Sequence, residues 1–465
     1  MPWRDRLTPA RMCRAAIVAP RSRWRTVLVH TADAGAFQTD EPKVEANSEP
    51  GPAGLLVGKL GPSGVTARLS LEAIEPAKLD ADHQLDLLVG EASLEERLVA
   101  TTGTDRSAAL LGWIPVREIE PLRSRIEPLG GSLVELPTAA GATPPSMLSP
   151  LGGKAGRVLV DTYATVPYRD VDPTAFAAIA YVVMFGMMFG DVGHGAIVAG
   201  LGLAARFVDR PWIRAARRVW VLVFASGVAA MVFGLLYGEA FGPTCLVPVV
   251  WLEPLEEPDR LLVAGVVVGA VLLAVTYVLA SVDRWREGGM ARALYASSGL
   301  AGALVFAGAA VVVGGLVSSQ RLVWRAGVAV ALIGVLLTVV GLIAEVGRTA
   351  TALLQVVIEL FDVMLRLGSN LVSFARLAAF GLTHAAISKV VWDATTASWG
   401  GAVGTSVAVV VFVVGNALAF ALEALVAGIQ ALRLEYYELF SRLFVSEGQP
   451  FRPWHVPLHV PLEDS

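Results

Sequence analysis

The feature that most constrains this chain is a succession of long apolar segments between residues 172 and 445. The hydrocarbon core of a bilayer is about 30 Å thick, so a helix of about 20 apolar residues crosses it. Charged residues make up only 17% of the chain, whereas a typical soluble protein has about 25%. Residues 1–170 have the mixed composition of a soluble protein. The sequence therefore predicts a soluble N-terminal part followed by a polytopic membrane part.

The first apolar segment, residues 174–207, is too long for a single crossing. It holds no Lys or Arg before Arg206, and as one helix it would extend about 51 Å. Near its middle lies the glycine-rich string GDVGHG, which predicts a helical hairpin with Asp191 and His194 at its tip. The loop 206–218 carries five arginines, and basic loops lie on the cytoplasmic side. If the N-terminal domain is also cytoplasmic, two crossings must precede this loop.

The later segments bring the predicted total to eight transmembrane helices, with both termini cytoplasmic. The amphipathic stretch 349–367 is predicted to lie along the cytoplasmic interface. The expected fold class is an α-helical polytopic membrane protein of about eight transmembrane helices, the last two long and tilted, with a small N-terminal α+β cytoplasmic domain. The predicted domains are 1–160, shortened and α+β, and 161–465, in the membrane, with the hairpin at 174–207, spans near 219–242, 261–282, 295–317 and 323–346, and two last helices at 368–395 and 402–440.

The α+β prediction rests on two short units of strand and helix. AAIVAP is an apolar run ended by Pro20, and apolar residues recur at helical spacing over the next stretch, to Ala32. Later, AALLGWIP, EIEPLRSRIEPL and SLVEL predict a strand, a helix and another strand. The intervening residues 40–100 are irregular and lack a heptad run, so no long helical arm is expected there.

Several kinds of site are excluded by spacing or charge. A net charge of −4 argues against a nucleic-acid partner. GLLVGKLG (54–61) approaches a phosphate-binding loop, but its glycines are one residue too close and Leu60 follows the lysine where Ser or Thr is needed. His455 and His459 are separated by a proline, so they form no helical metal pair. The sequence predicts no nucleotide site, no metal site and no cofactor.

Charged residues inside the last two apolar segments are the candidate functional residues. A charge at the bilayer centre costs at least about 2.5–3.5 kcal/mol, so such residues are rare and usually functional. Arg376 and His384 are two helical turns apart and share a face. On the last helix, Glu423, Gln430 and Arg433 also share a face. For Arg433 a position at the membrane edge is an equally good interpretation.

His384 and Asp362 each have a second interpretation that the sequence leaves open. His384 taken alone is more typical of a packed, hydrogen-bonded histidine than of a proton carrier. Asp362 and Arg366 are four residues apart and are also consistent with a simple helical ion pair.

Four blocks, in order, resemble the membrane stator subunit of V-type and archaeal-type ATPases (the V-ATPase 116 kDa subunit family), called subunit a in eukaryotes and subunit I in prokaryotes. The first two are DTYATVPYRDVDPTAF (161–176) and FGMMFGDVGHG (185–195). The third is FGLLYGEAFG (233–242). The fourth combines SNLVSFARLAAFGLTHAAIS (369–388) with LRLEYYELF (432–440).

The resemblance implies a proton-translocating subunit of a rotary ATPase that does not itself hydrolyse ATP. It assigns the essential arginine to Arg376 and its partner to Arg433, with Gln430 nearby, and polar half-channel positions to Glu423, His384 and Asp362. The implied partners are a rotor ring of proteolipid subunits, each with one buried carboxylate, and the peripheral-stalk and central-stalk subunits. The expected location is a prokaryotic plasma membrane.

The N-terminal part departs from the family pattern. Family members have two cytoplasmic lobes separated by a long antiparallel helical arm, which is expected here to be missing or severely shortened. Two alternatives remain beside the stator hypothesis. One is a secondary transporter or ion channel, although no inverted repeat with broken helices is visible. The other is a non-conducting membrane anchor that retains the fold.

Overall fold

The computed structural model describes residues 9–40, 51–61, 64–138, 142–147, 154–208, 216–244, 246–295, 299–346, 350–444 and 447–459. The chain divides into two compact units. The first, here called the sheet unit, comprises Pro9–Leu148 with Gly448–Ser465. The second, the helical unit, comprises Ser149–Glu447. Each is described by itself.

The sheet unit is built on an antiparallel sheet. Strands β1 and β4 pair along their whole length, with Ala15 opposite Gly112, and β5 pairs with the other edge of β1. β2 and β3 both pair with β4. The strands are β1 (Met12–Pro20), β2 (Gln38–Thr39), β3 (Thr102–Gly103), β4 (Ser107–Pro115) and β5 (Ser132–Leu136).

Two helices cover this sheet because their apolar residues recur on one face. Helix α1 (Trp24–Ala34) buries Val27 and Leu28, and α5 (Ile119–Ile126) buries Leu122 and Ile126, in the same core as the inward side chains of β1. The N-terminal α+β prediction is confirmed in both its strands and its helices.

Three short helices occupy much of the stretch predicted to be irregular. They are α2 (Pro52–Leu60), α3 (Pro76–Ala81) and α4 (Leu85–Val99). A small core of their own, centred on Ala53, Leu79, Leu87 and Leu88, holds them together. Each of the first two begins with proline at its first position, where the missing N–H costs no hydrogen bond.

The C-terminal residues belong to the sheet unit, whereas the sequence-based division placed them in the membrane domain. Trp454 and Val456 are buried in the core under the sheet. The backbone N–H of Trp454 donates to the carbonyl of Phe37 at 2.9 Å, and that of Val456 donates to Ala32 at 3.1 Å. The predicted membrane domain, 161–465, therefore extends beyond the helical unit, because apolar residues near the end of the chain fill a core that is otherwise built from residues between 15 and 133.

The helical unit contains a series of helices in chain order. One of them, α10, extends well beyond the predicted span at 261–282. The helices are α6 (Lys154–Tyr163), α7 (Thr174–Met188), α8 (Val192–Phe207), α9 (Trp220–Tyr237), α10 (Pro258–Tyr295), α11 (Leu300–Val317), α12 (Arg321–Val346), α13 (Ala350–Ser373), α14 (Ala375–Ala397), α15 (Gly401–Leu434), a π-helical segment (Glu435–Phe440) and α16 (Ser441–Leu443).

Six helices of the described chain are long and apolar enough to cross a membrane, and α7 and α8 are shorter apolar helices. The α-helical polytopic membrane class is therefore confirmed, and the chain is an integral membrane protein.

Helices α7 and α8 lie on either side of α9. Along α9, Ala229 lies close to Gly186 of α7, while Gly227 lies close to Gly195 of α8. A Cβ on Gly195 would approach the backbone nitrogen of Met231 to 2.7 Å, so only glycine permits this contact. The turn between α7 and α8 is short, and most of GDVGHG lies in the first turn of α8, with Asp191 as its N-cap.

Candidate functional site

Arg376 lies in the first turn of α14, just after a break in the helix. α13 ends at Ser373 and α14 begins at Ala375, with the fully buried Phe374 between them. The Phe374 ring packs on Gly269 of α10, where a Cβ would lie only 2.1 Å from it. The predicted boundary between 367 and 368 therefore differs from the observed break, and the helix predicted to lie along the interface continues to Ser373.

The guanidinium of Arg376 contacts two neighbouring polar side chains. Its Nη1 donates to Oε1 of Gln430 on α15 at 3.4 Å, and its Nη2 donates to Oγ of Ser373 at the same distance. The side chain is only partly buried. An arginine cannot be deprotonated in a protein, so these contacts hold a permanent positive charge between two long apolar helices.

Arg433 lies three residues beyond Gln430 on α15. Its side chain is exposed, and it lies within electrostatic range of Arg376, as does Glu438 of the π-helical segment. Arg376, Gln430 and Arg433 are called the arginine seam below. The exposure of Arg433 leaves both sequence-based interpretations of it open.

His384 and Glu423 form a second polar contact between the same helices. Nδ1 of His384 lies against Oε2 of Glu423, and the imidazole is buried. His384 is eight residues after Arg376, and Glu423 is seven residues before Gln430. Since α14 and α15 are antiparallel neighbours, the two contacts are separated by about 12 Å along the helices. The predicted polar face is thus observed at two levels.

Asp362 does not join these residues. On the exposed face of α13 its Oδ2 lies 2.5 Å from Nη2 of Arg366. Within the described ranges no hydrogen bond or ion pair links it to Arg376, Gln430 or His384. The structure shows the helical ion pair that the i,i+4 spacing also allowed.

Asp191 and His194, predicted as residues of a hairpin tip, lie at the junction of α7 and α8 and are fully buried beside His384. The rings of His194 and His384 have their centroids 5.6 Å apart. Oδ1 of Asp191 accepts a hydrogen bond from the backbone N–H of His194 at 2.7 Å, and Oδ2 accepts from Gly242 at 3.1 Å. These hydrogen bonds cap α8 and fix the carboxylate.

Two buried carboxyl groups were not among the predicted site residues. Glu239, in the segment after α9, lies within electrostatic range of His384, Asp191 and Glu423. Glu435 is fully buried at the start of the π-helical segment, and neither of its oxygens has a hydrogen-bond partner among the described residues. A π-helical turn inside a long helix is often found at functional sites. Glu239 falls within FGLLYGEAFG, so that motif carried the only sequence signal for it.

Comparison with known proteins shows which sequences this chain resembles. The sequence model of the V-type ATPase 116 kDa subunit family matches residues 108–248. The A-type ATP synthase subunit I of Pyrococcus horikoshii is 25% identical over 76% of this chain and 54% of its own length. The corresponding subunit I of Aeropyrum pernix is 28% identical over 77% of this chain and 58% of its own length.

The A-type ATP synthase subunit I of Halobacterium salinarum is 27% identical over 64% of this chain and 49% of its own length. The chain thus spans about half the length of the curated relatives it matches. The resemblance predicted from four ordered motifs is confirmed by these matches: residues 108–248 match the V-type ATPase 116 kDa subunit family, and about three quarters of the chain is similar to A-type ATP synthase subunits I.

Proposed function

We propose that this chain is the membrane stator subunit of a rotary ATPase and carries protons past a rotor. The observation that carries the proposal is Arg376, a permanent cation held by Gln430 and Ser373 between two apolar helices. The relatives are named as subunits I of A-type ATP synthases, which supports the assignment of this chain to a rotary ATPase complex. In this function the chain does not hydrolyse ATP but couples proton flow to ATP chemistry in other subunits.

The arginine would act on buried carboxylates of the rotor. A carboxylic acid in lipid stays protonated because the charged form is too costly. Beside a guanidinium it ionises, since the cation supplies the counter-charge and keeps it at any accessible pH. A rotor carboxylate that reaches Arg376 therefore releases its proton, and one that leaves Arg376 for lipid must take up another.

The side chains exposed along one side of α15 are suited to contact with such a rotor. Arg433 is exposed beside Arg376, and apolar side chains on the same helix, such as Leu422 and Ile429, are also exposed. An apolar face with one cationic position is suited to a moving partner that is itself apolar and carries single carboxylates. His384, Glu423 and Asp362 would supply polar positions along the two half-channels, with the peripheral and central stalks as further partners.

The test is proton pumping by the assembled complex in proteoliposomes, followed with a pH-sensitive dye. Arg376→Ala and Arg376→Lys are expected to abolish pumping, because neither retains a planar guanidinium in contact with Gln430. Arg325→Ala, on the exposed surface of α12, is the matched control and should pump normally. Pumping by Arg376→Ala at the wild-type rate would contradict the proposal and favour a non-conducting anchor. Failure of the chain to co-purify with a rotor ring would favour a transporter.

A further inference from the structure

A cluster of buried side chains of the types that bind metal ions lies at the level of His384, two helical turns along α14 from Arg376. One donor atom each from Asp191, His194 and His384 lies within 4.8 Å of the others. These residues come from the start of α8 and the middle of α14, almost 200 residues apart in the chain. All three side chains are buried, so the cluster is an internal feature of the helical unit. Asp191, His194 and His384 are called the histidine cluster below.

The cluster leaves several polar atoms without a hydrogen-bond partner in the described part of the chain. Both ring nitrogens of His194 and Nε2 of His384 are buried and lack a hydrogen bond of good geometry, although the backbone of Asn416 lies near the His194 ring. Oε2 of Glu239 is likewise buried without a partner among the described residues, and its carboxylate lies within electrostatic range of both His384 and Asp191. Buried polar groups are normally paired, and each exception calls for a ligand, an ion or water. The unpartnered nitrogens belong to side chains whose ligand atoms lie within 4.8 Å of one another and of Asp191.

We propose that Asp191, His194 and His384 bind a single divalent transition-metal ion of the Zn²⁺ class, with Glu239 as the fourth ligand. Imidazole and carboxylate are ligands that Zn²⁺ accepts, in tetrahedral sets of four. Ligand atoms around tetrahedral Zn²⁺ stand about 3.3 Å apart. Nδ1 of His194 lies 3.6 Å from Oδ1 of Asp191, and the remaining ligand atoms must move closer together for all four to bind one ion.

The surroundings of the cluster resemble the outer shell of a metal site. A metal-bound histidine commonly donates its other ring N–H to a carboxylate, which fixes the tautomer and the ring orientation. Glu423 contacts Nδ1 of His384 and thereby leaves Nε2 free for the ion. The Asp191 carboxylate is itself oriented by the backbone N–H groups of His194 and Gly242.

The charges of the cluster and its apolar surroundings favour the cluster with a bound ion over the cluster without one. With neutral imidazoles, the carboxylates of Asp191 and Glu239 would balance the ion's charge of +2, which lowers the cost of burying them, while the Glu423 carboxylate against His384 adds one further negative charge. Aromatic rings enclose the cluster: Phe189 lies 5.1 Å from His384, and Phe241 lies 5.3 Å from His194, between ring centroids. Such walls exclude water, which would otherwise compete as a ligand.

A consequence follows that rests on the proposed function. An ion on His384 would occupy the side chain that contacts Glu423 across α14 and α15. It would also tie α8 to α14 beside the proton path. Zn²⁺ is therefore expected to inhibit proton pumping, whereas binding itself requires only the isolated chain.

The test is Zn²⁺ binding to the full chain, purified in detergent without a histidine tag. The chain has six histidines, which allows a matched control. The variant in which His30, His83, His455 and His459 are all changed to Gln retains only the two clustered histidines and should still bind one Zn²⁺. His194→Gln and His384→Gln should each weaken binding at least tenfold, and Glu423→Gln should weaken it about 10- to 100-fold through the outer shell. Co²⁺ substituted for Zn²⁺ should give the intense visible absorption of tetrahedral coordination.

Outcomes separate this inference from the proposed function and from misfolding. Arg376→Ala should lose pumping and keep Zn²⁺ binding, so failure of one proposal leaves the other measurable. Helical content by circular dichroism identifies any variant that does not fold, and the Co²⁺ spectrum of the wild-type chain provides an independent readout. No Zn²⁺ binding by the wild type, binding lost in the four-histidine control, or binding unaffected by His194→Gln and His384→Gln would each overturn the metal site.

Discussion

Nη1 of Arg376 on α14 donates to Oε1 of Gln430 on α15 at 3.4 Å. About two helical turns further along the same pair of helices, His384 of α14 contacts Glu423 of α15. The same helix pair therefore carries its polar side chains at two levels, with apolar residues between them. The first contact positions a permanent cation, and the second joins a histidine to a carboxylate. Each of the two polar contacts between α14 and α15 can therefore be changed by mutation without changing the other.

Gln430→Leu is expected to slow proton pumping about tenfold, because a hydrogen bond to a charged group contributes about 1.5 kcal/mol and leucine cannot accept from Arg376. Gln430→Glu replaces the amide with a carboxylate at the same contact. The carboxylate should pair more strongly with the guanidinium than the amide does and thereby change the rate of pumping. The measurement is the initial rate of dye quenching in proteoliposomes. Equal rates for Gln430→Leu and the wild type would mean that the amide has no role in positioning Arg376.

Gly195→Ala is expected to destabilise the helical unit by about 1–3 kcal/mol, since its Cβ would press on the backbone of α9. Gly200, on the same helix, has nothing within 4 Å of an added Cβ. Gly200→Ala should therefore leave stability unchanged or raise it by about 0.5–1 kcal/mol through helix propensity. Thermal unfolding in detergent compares the two. Equal effects would show that the close approach of α8 to α9 is not required for stability.

The buried carboxyl group of Asp170 is expected to make the free energy of unfolding depend on pH. It is buried in the segment before α7, and burial, followed by Glu287, raises its pKa to about 6 from the ordinary 3.8. The folded state thus holds the proton more tightly than the unfolded state does. The stability that this proton provides is complete below about pH 4 and is lost as pH rises through 6. The charged groups facing Asp170 are Glu287, Asp283, Arg284 and Arg286.

Asp170→Asn is therefore expected to be more stable than the wild type at pH 7.5, by about 1–3 kcal/mol, with the difference shrinking towards pH 4. The measurement is the unfolding midpoint as a function of pH, and Asp105→Asn, at an exposed position, serves as the control. A constant difference between pH 4 and pH 7.5 would show that the Asp170 carboxyl does not titrate as described.

Trp454→Ala is expected to destabilise the sheet unit by about 3–5 kcal/mol. The indole is buried in the core, and its Nε1 donates to Oγ of Ser93 at 2.9 Å. The neighbouring His455 is exposed, so His455→Ala should have little effect. Limited proteolysis of the full chain, with cleavage sites mapped to the sheet unit, measures the difference. Unchanged protection in Trp454→Ala would mean that the C-terminal segment is not part of this core.

Local patterns predicted many of the elements of this protein, although they missed the three helices between residues 52 and 99. The length of the apolar segments determined which parts form membrane helices, because a bilayer requires about 20 apolar residues per crossing. Proline-bounded apolar runs predicted β1 and β4, and helical spacing predicted α1 and α5. Charged residues in apolar segments singled out Arg376 and Glu423, since a charge there is costly wherever the helices pack.

Contacts between distant residues were decided only by the tertiary structure. Nothing in the sequence near Trp454 indicates that it fills a core built around Ile17 and Val27, and nothing near Phe374 indicates that Gly269 receives its ring and allows the break before Arg376. The histidine cluster is the clearest case. Asp191 and His194 match a hairpin tip by composition, and only the tertiary structure, in which α7 packs against α14, brings them to His384. Periodicity reports which face of a helix is apolar, but the partner of that face is chosen by the packing of the whole unit.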